Sequence, residues 1–166
     1  MTDLKLIALD PEDLGILSAH LQDAVLKVGD MANLAREHRF AALVNRFDWA
    51  AAGADAKRRR KLQRRRTAIR LDRVTRAQVH GIDVKARERL LVLLAIRFEA
   101  GASPAGTIIL DFAGGAAIRL EVECIEAEMR DLGAAWAAQS RPDHSNDEKG
   151  GVGSGELGRD VPGRTE

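Results

Sequence analysis

The 166-residue chain is 45% hydrophobic, 31% charged and 4% aromatic, which excludes collagen-like, fibrous and wholly disordered chains and suits one globular domain better than two. Its longest unbroken apolar run is the seven residues 90–96, where a membrane-spanning helix needs about 20, and Met1-Thr2-Asp3 lacks the basic-then-apolar start of an export signal. A single cysteine, Cys124, allows neither an internal disulfide nor a multi-cysteine metal site and points to a reducing cytoplasm.

The formal charge of +1 conceals an asymmetry: residues 57–76 hold eleven Lys/Arg against the one acid Asp72, and the remainder of the chain is −9. Within this window Lys57, Arg58, Arg59, Arg60, Lys61, Arg64, Arg65 and Arg66 enclose only Leu62 and Gln63, a run expected on a solvated segment. From residue 140 onward six Gly and two Pro accompany only Val152, Leu157 and Val161 as aliphatic residues, too little apolar area to offset ordering entropy. The expected organisation is one globular domain over 1–139 with a basic loop at 50–66, then a disordered tail over 140–166.

In chain order, Leu4, Leu6 and Ala8 alternate with Lys5 and Ile7 as a short strand. Asp10-Pro11 then opens a helix, with Asp10 as cap and Glu12 and Asp13 near its positive end, while Leu14, Leu17 and Leu21 form its buried stripe to about residue 23. Residues 25–28 and 39–49 read as extended segments joined by a polar connection, a hairpin. Alanines and the basic run follow, as frayed helix or mobile loop. From Thr67, Ile69 and Leu71 face one way, until a phase slip at Arg73-Val74 predicts a bulge or bend. Val92, Leu94, Ile96 and Phe98 are expected as one inward row, and Ile108, Leu110 and Phe112 as the next. Side-chain parity favours a three-residue loop Gly114–Ala116, which sets Phe112 opposite Ile118, Leu110 opposite Leu120 and Asp111 opposite Arg119. After Glu123, Ile125, Met129, Leu132 and Trp136 predict a closing helix.

These elements predict an α+β domain: an antiparallel, strongly bent sheet or open barrel of about seven strands with an early helix and a C-terminal capping helix, in an order resembling pleckstrin-homology-type folds. The words Leu4-Lys5-Leu6-Ile7-Ala8-Leu9-Asp10, Ser18-Ala19-His20-Leu21-Gln22-Asp23-Ala24, Asn45-Arg46-Phe47-Asp48-Trp49 and Arg119-Leu120-Glu121-Val122-Glu123-Cys124-Ile125 closely resemble the domain of unknown function 2948 family of small bacterial proteins, over roughly residues 3–141. That resemblance implies a bacterial cytoplasmic setting and carries over no site residue.

No catalytic residue, metal ligand set or cofactor is assigned. His20 reads as the edge of an amphipathic helix rather than a base. Cys124 is flanked by Glu121, Glu123, Glu126 and Glu128, which oppose a thiolate, and those glutamates read as a wet face. Gly114-Gly115 lacks the Lys-Ser/Thr pair of a phosphate loop and fits a hairpin. Two features remain. The basic residues 57–66 suit phosphate or carboxylate contacts, with no aromatic residue between 50 and 88 for base stacking. In residues 45–49, alternation sends Asn45, Phe47 and Trp49 to one side and Arg46 and Asp48 to the other, so that Phe47 and Trp49 are core or, with Arg46, a partner-binding patch. The expected function is a non-catalytic protein-interaction module with an unknown protein partner and the basic loop as its electrostatic accessory. The alternative is nonspecific binding of RNA or anionic lipid through that loop, and the third reading is an enzyme of unrecognised type. Oligomeric state is not encoded in any of these signals.

Overall fold

The computed structural model describes residues 3–48 and 64–133. They form β1 (Lys5–Ala8), α1 (Pro11–His20), β2 (Ala24–Lys27), β3 (Met31–Leu34), β4 (Arg39–Phe47), β5 (Arg64–Asp72), β6 (Val74–His80), β7 (Leu90–Ala100), β8 (Gly106–Phe112), β9 (Ala117–Val122) and β10 (Ala127–Asp131), all within one compact unit, Met1–Asp131. The ten strands make a single sheet in the order β1-β10-β5-β4-β2-β7-β8-β9-β6, with β3 pairing beside β2 on β4. Every pairing is antiparallel, and the sheet is not closed. The broad α+β expectation holds, with more strands than the seven expected.

The helix follows its local chemistry. Asp10 accepts a hydrogen bond from the Asp13 N–H at 2.8 Å, Pro11 begins the first turn, and Leu14, Leu17 and Leu21 are buried. It is tied to β7 because the Ile96 N–H donates to Ser18 Oγ at 2.8 Å and the Asp23 N–H to the Leu93 carbonyl at 2.7 Å.

Strand β7 corrects one expected row. Leu91 and Leu93 are buried where Val92 and Leu94 were expected, Leu94 is exposed, and the pairing with β8 shifts between Leu93 and Ala95. A bulge of one residue reverses side-chain parity, so Ile96 points inward as expected. The β8–β9 hairpin has the expected parity and a three-residue loop, but that loop is Ala113–Gly115, with Gly114 and Gly115 at positive φ. Leu110 therefore faces Ile118 and Ile108 faces Leu120, a shift of two residues that leaves every side chain on its expected face. Asp111 pairs instead with Arg97 at 2.6 Å, and Arg119 with Glu99 at 3.1 Å.

The phase slip at residue 73 is a chain corner. Arg73 adopts φ +64°, and β5 pairs with β4 and β10 while β6 pairs with β9. Backbone bonds hold the corner: the Val74 N–H donates to the His38 carbonyl at 3.0 Å, and the Glu123 N–H to the Arg73 carbonyl at 3.0 Å.

The closing helix expected from Ile125 is replaced over residues 127–131 by strand β10. Ala127, Met129 and Asp131 are buried and Glu128 and Arg130 face the other way, a period of two. Ile125 and Met129 are both buried, so a helical stripe and a strand share those two positions. The pleckstrin-homology-like order relied on that helix and loses its support here; Trp136 lies outside the described residues.

The core joins α1 to the inward rows of β4, β5, β7, β8, β9 and β10. If β10 is the strand described, Met129→Ala costs about 2–5 kcal/mol while Arg130→Ala stays within about 0.5 kcal/mol. Urea unfolding of both variants measures the contrast, and equal losses would contradict a two-residue period.

Candidate functional site

Two polar assemblies lie on opposite faces of the strands β4, β5 and β10. The inward one is built around Asp131, the last residue of β10, whose side chain is fully buried. Its carboxylate accepts from Arg46 Nε at 2.9 Å and Nη2 at 2.7 Å, from Thr67 Oγ1 at 2.8 Å and from the Leu4 N–H at 2.9 Å. Arg46, 2% exposed, also donates from Nη1 to the Phe47 carbonyl at 3.1 Å. Beside this pair Arg65 bridges Asp48 at 3.0 Å and Asp3 at 3.2 Å.

Burial alone raises the Asp131 carboxyl, but the hydrogen bonds from Arg46, Leu4 and Thr67 outweigh it and hold the group below its ordinary value. His20 is lowered, first by burial and then by the Arg46 charge, against the opposing pull of Asp131 and Asp48. The arrangement is a bidentate ion pair with its remaining acceptor sites satisfied, a joint between strands.

The outward face is different. Its row on β4 is Arg39, Ala41, Leu43, Asn45 and Phe47, which stand opposite Asp72, Arg70, Ala68, Arg66 and Arg64 of β5; β10 adds Glu128 and Arg130, and β1 adds Lys5 opposite Arg130. A shallow groove of about 460 Å³ runs over this face, floored by Ala41, Leu43 and Ala68 and rimmed by Arg39, Arg70 and Arg130. Arg39 pairs with Asp72 at 2.7 Å, and Arg70 with Asp72 at 3.0 Å and Glu128 at 2.8 Å. The acids lie underneath: the Asp72 and Glu128 side chains are 13% and 14% exposed, against 38%, 42% and 61% for Arg39, Arg70 and Arg130.

The expected site residues separate accordingly. Arg46 is inside the fold and is removed from the partner-binding patch. Phe47 is half-buried on the outer face beneath the Arg64 guanidinium, 4.8 Å from its ring centre; Trp49 lies outside the described residues. Of the basic run, Arg64, Arg65 and Arg66 belong to β5 rather than to a loop. The pleat divides them: Arg65 turns inward to its acids, while Arg66 turns outward, with Asp30 at 3.6 Å. Lys57, Arg58, Arg59, Arg60 and Lys61 lie outside the described residues. Arg39 and Arg130 were missed as site residues because each is a single cation far from the run in sequence; the two-residue period of 127–131 is the signal that would have placed Arg130. Among the described residues, no group of three or more His, Cys, Asp or Glu is arranged to hold a metal ion, and no helix is long and apolar enough to cross a membrane.

The fold and this face define a class: an antiparallel α+β domain presenting an arginine-rimmed groove on its sheet. The chain belongs to the family described as "Protein of unknown function (DUF2948)", whose model matches residues 4–144. No curated protein and no solved structure matches it.

Removing one partner of the buried pair strands the other charge, so Asp131→Asn or Arg46→Met costs about 3–5 kcal/mol. In a double-mutant cycle by urea unfolding, the double variant loses less than the sum of the two. Because the folded-state value of Asp131 is depressed, its stabilisation is complete above the unfolded value, near 3.8, and is lost as pH falls below it. Unfolding of the wild type and Asp131→Asn across this acid range checks the sign: the wild type loses more stability on acidification.

Proposed function

We propose that this chain is a non-catalytic protein-interaction module whose sheet groove takes an acidic, extended segment of a partner protein. One observation carries the reading: in the β4–β5–β10 cluster the Asp72 and Glu128 carboxylates sit beneath the guanidiniums of Arg39, Arg70 and Arg130, so this part of the groove offers a partner a cationic face although its ion pairs are complete. The exception is Asp30 at the β3 end, 31% exposed beside Arg66. An arginine fork meets carboxylates in bidentate geometry, and the alanine and leucine floor supplies the apolar contact that protein interfaces place inside a polar rim. Lys5 directly opposite Arg130 is a like-charge pair, costly in an isolated sheet and relieved by an anionic ligand. By contrast, on β7, β8 and β9 the cations Arg97 and Arg119 are matched by Glu99 and Asp111, which are themselves open to solvent, and these strands offer no such cationic layer.

Binding of RNA or anionic lipid through the same cations is the second reading, favoured by the continuation of Arg64 and Arg66 into the basic residues before them. The Phe47 face that would stack a base carries Arg64 instead, so RNA contacts would be confined to its phosphates.

Immobilised polyglutamate, RNA and anionic vesicles separate these readings. The wild type is expected to be retained on polyglutamate, and the variant Lys5→Glu/Arg130→Glu to elute at clearly lower salt, with its melting temperature little changed because both side chains are exposed. Retention on RNA or vesicles alone would favour the second reading, and retention on none would overturn both.

A further inference from the structure

Among the described residues β6 has a single strand neighbour, β9, and the backbone groups of residues 76–80 that point away from β9 have no backbone partner. Such an edge is a template for another strand, and monomeric proteins blunt it with Pro, Lys, short length or bulges. The other edge strands are blunted: β1 and β3 have four residues each, β1 carries Lys5, and α1 follows it directly. On β6 the one irregularity lies between Val74 and Arg76, so residues 76–80 remain a regular, exposed strand without Lys or Pro. Val79 stands opposite Ile118 on the core side of the sheet, yet Val79 is 46% exposed while Ile118 is buried. The inner face thus runs out to the edge with an apolar side chain uncovered.

We infer that β6 pairs with β6 of a second copy of this chain, antiparallel and centred on Gln78, joining two sheets into one. This register sets Gln78 opposite its own copy, Ala77 opposite Val79 and Arg76 opposite His80. The two apolar pairs cover Val79 on the inner face, and the two Gln78 amides lie within reach of each other on the outer face. The charges permit it. Residues 76–80 contain no acid, and their one permanent cation, Arg76, is matched within its own chain by Glu121 at 3.5 Å, so the copies approach without net repulsion. A second copy suits this edge better than an acidic segment or a polyanion, which would meet only that compensated arginine. One short strand pair buries less than the about 1,200 Å² of stable interfaces, so the dimer is reversible and depends on concentration. A two-fold pair is also closed, since each edge consumes the other.

A residue that faces its own copy gives a specific test. In sedimentation equilibrium of the full chain, the wild type is expected to shift from monomer toward dimer mass as concentration rises. Gln78→Lys and Gln78→Glu each place like charges opposite one another and lose the dimer, while an equal mixture of the two variants restores dimer mass. The restored mixture also shows that both variants fold. A wild type that stays monomeric at the highest attainable concentration, or single variants that dimerise as well as the wild type, would overturn the inference. So would a mixture that remains monomeric.

Discussion

The Asp131 carboxylate is the point through which four strands are tied. It receives Arg46 from β4, Thr67 from β5 and the Leu4 N–H at the entrance to β1, while belonging itself to β10. Taking two charges out of water is expensive, and the attraction between them repays that cost only when the geometry is good and the remaining lone pairs are used; here both conditions are met. What the pair adds beyond energy is register. A slip of β10 by one residue would turn Asp131 outward and Arg130 inward, leaving Arg46 buried without its counter-charge. The alternative pairings of this short strand are thereby excluded by a buried charge as well as by its two apolar contacts, Ala127 and Met129.

The same joint explains which parts of the fold were legible. Helix α1 was readable because cap, proline and leucine stripe all point one way. The parity of β8 and β9 was readable because Ile108, Leu110 and Phe112 meet Ile118 and Leu120 across glycines. The corner at Arg73 announced itself as a broken alternation. Strand β10 was not legible, since one of its three inward positions is an aspartate, and a hydrophobic pattern that counts only apolar residues finds the helical spacing of Ile125 and Met129 instead. Arg46 was misplaced for the same reason, as a charge is assigned outward until its buried partner is known, and that partner lies 85 residues away. At Leu94 a bulge changes parity without any glycine or proline to mark it.

The candidate face was legible only in part because its cations come from four strands. Arg64 and Arg66 are conspicuous within the basic run, whereas Arg39, Arg70 and Arg130 become neighbours only through the β4–β5–β10 register. The run itself is not one functional unit. Its pleat assigns Arg65 to Asp48 and Asp3, inside the joint that orders this end of the sheet, and Arg64 and Arg66 to the surface. Neutralising the whole run would therefore mix a loss of fold with a loss of binding, and substitutions confined to the outward row are the informative ones.

The groove and the β6 edge draw on different residues of one sheet. The groove is lined from β3, β4, β5 and β10 and by none of the residues of β6, so pairing through the edge leaves its arginines uncommitted. A dimer joined at β6 carries two such grooves on one continuous sheet. An acidic partner with two binding segments, of the kind proposed, would then engage the second groove at an effective concentration set by its own linker, strengthening retention without any new contact. If both proposals hold, weak self-association and a weakly selective cationic groove would gain selectivity together, since a single acidic stretch would meet one groove while a correctly spaced pair would meet both. The spacing rule would come from the rigid sheet between the grooves, not from the chemistry of either groove.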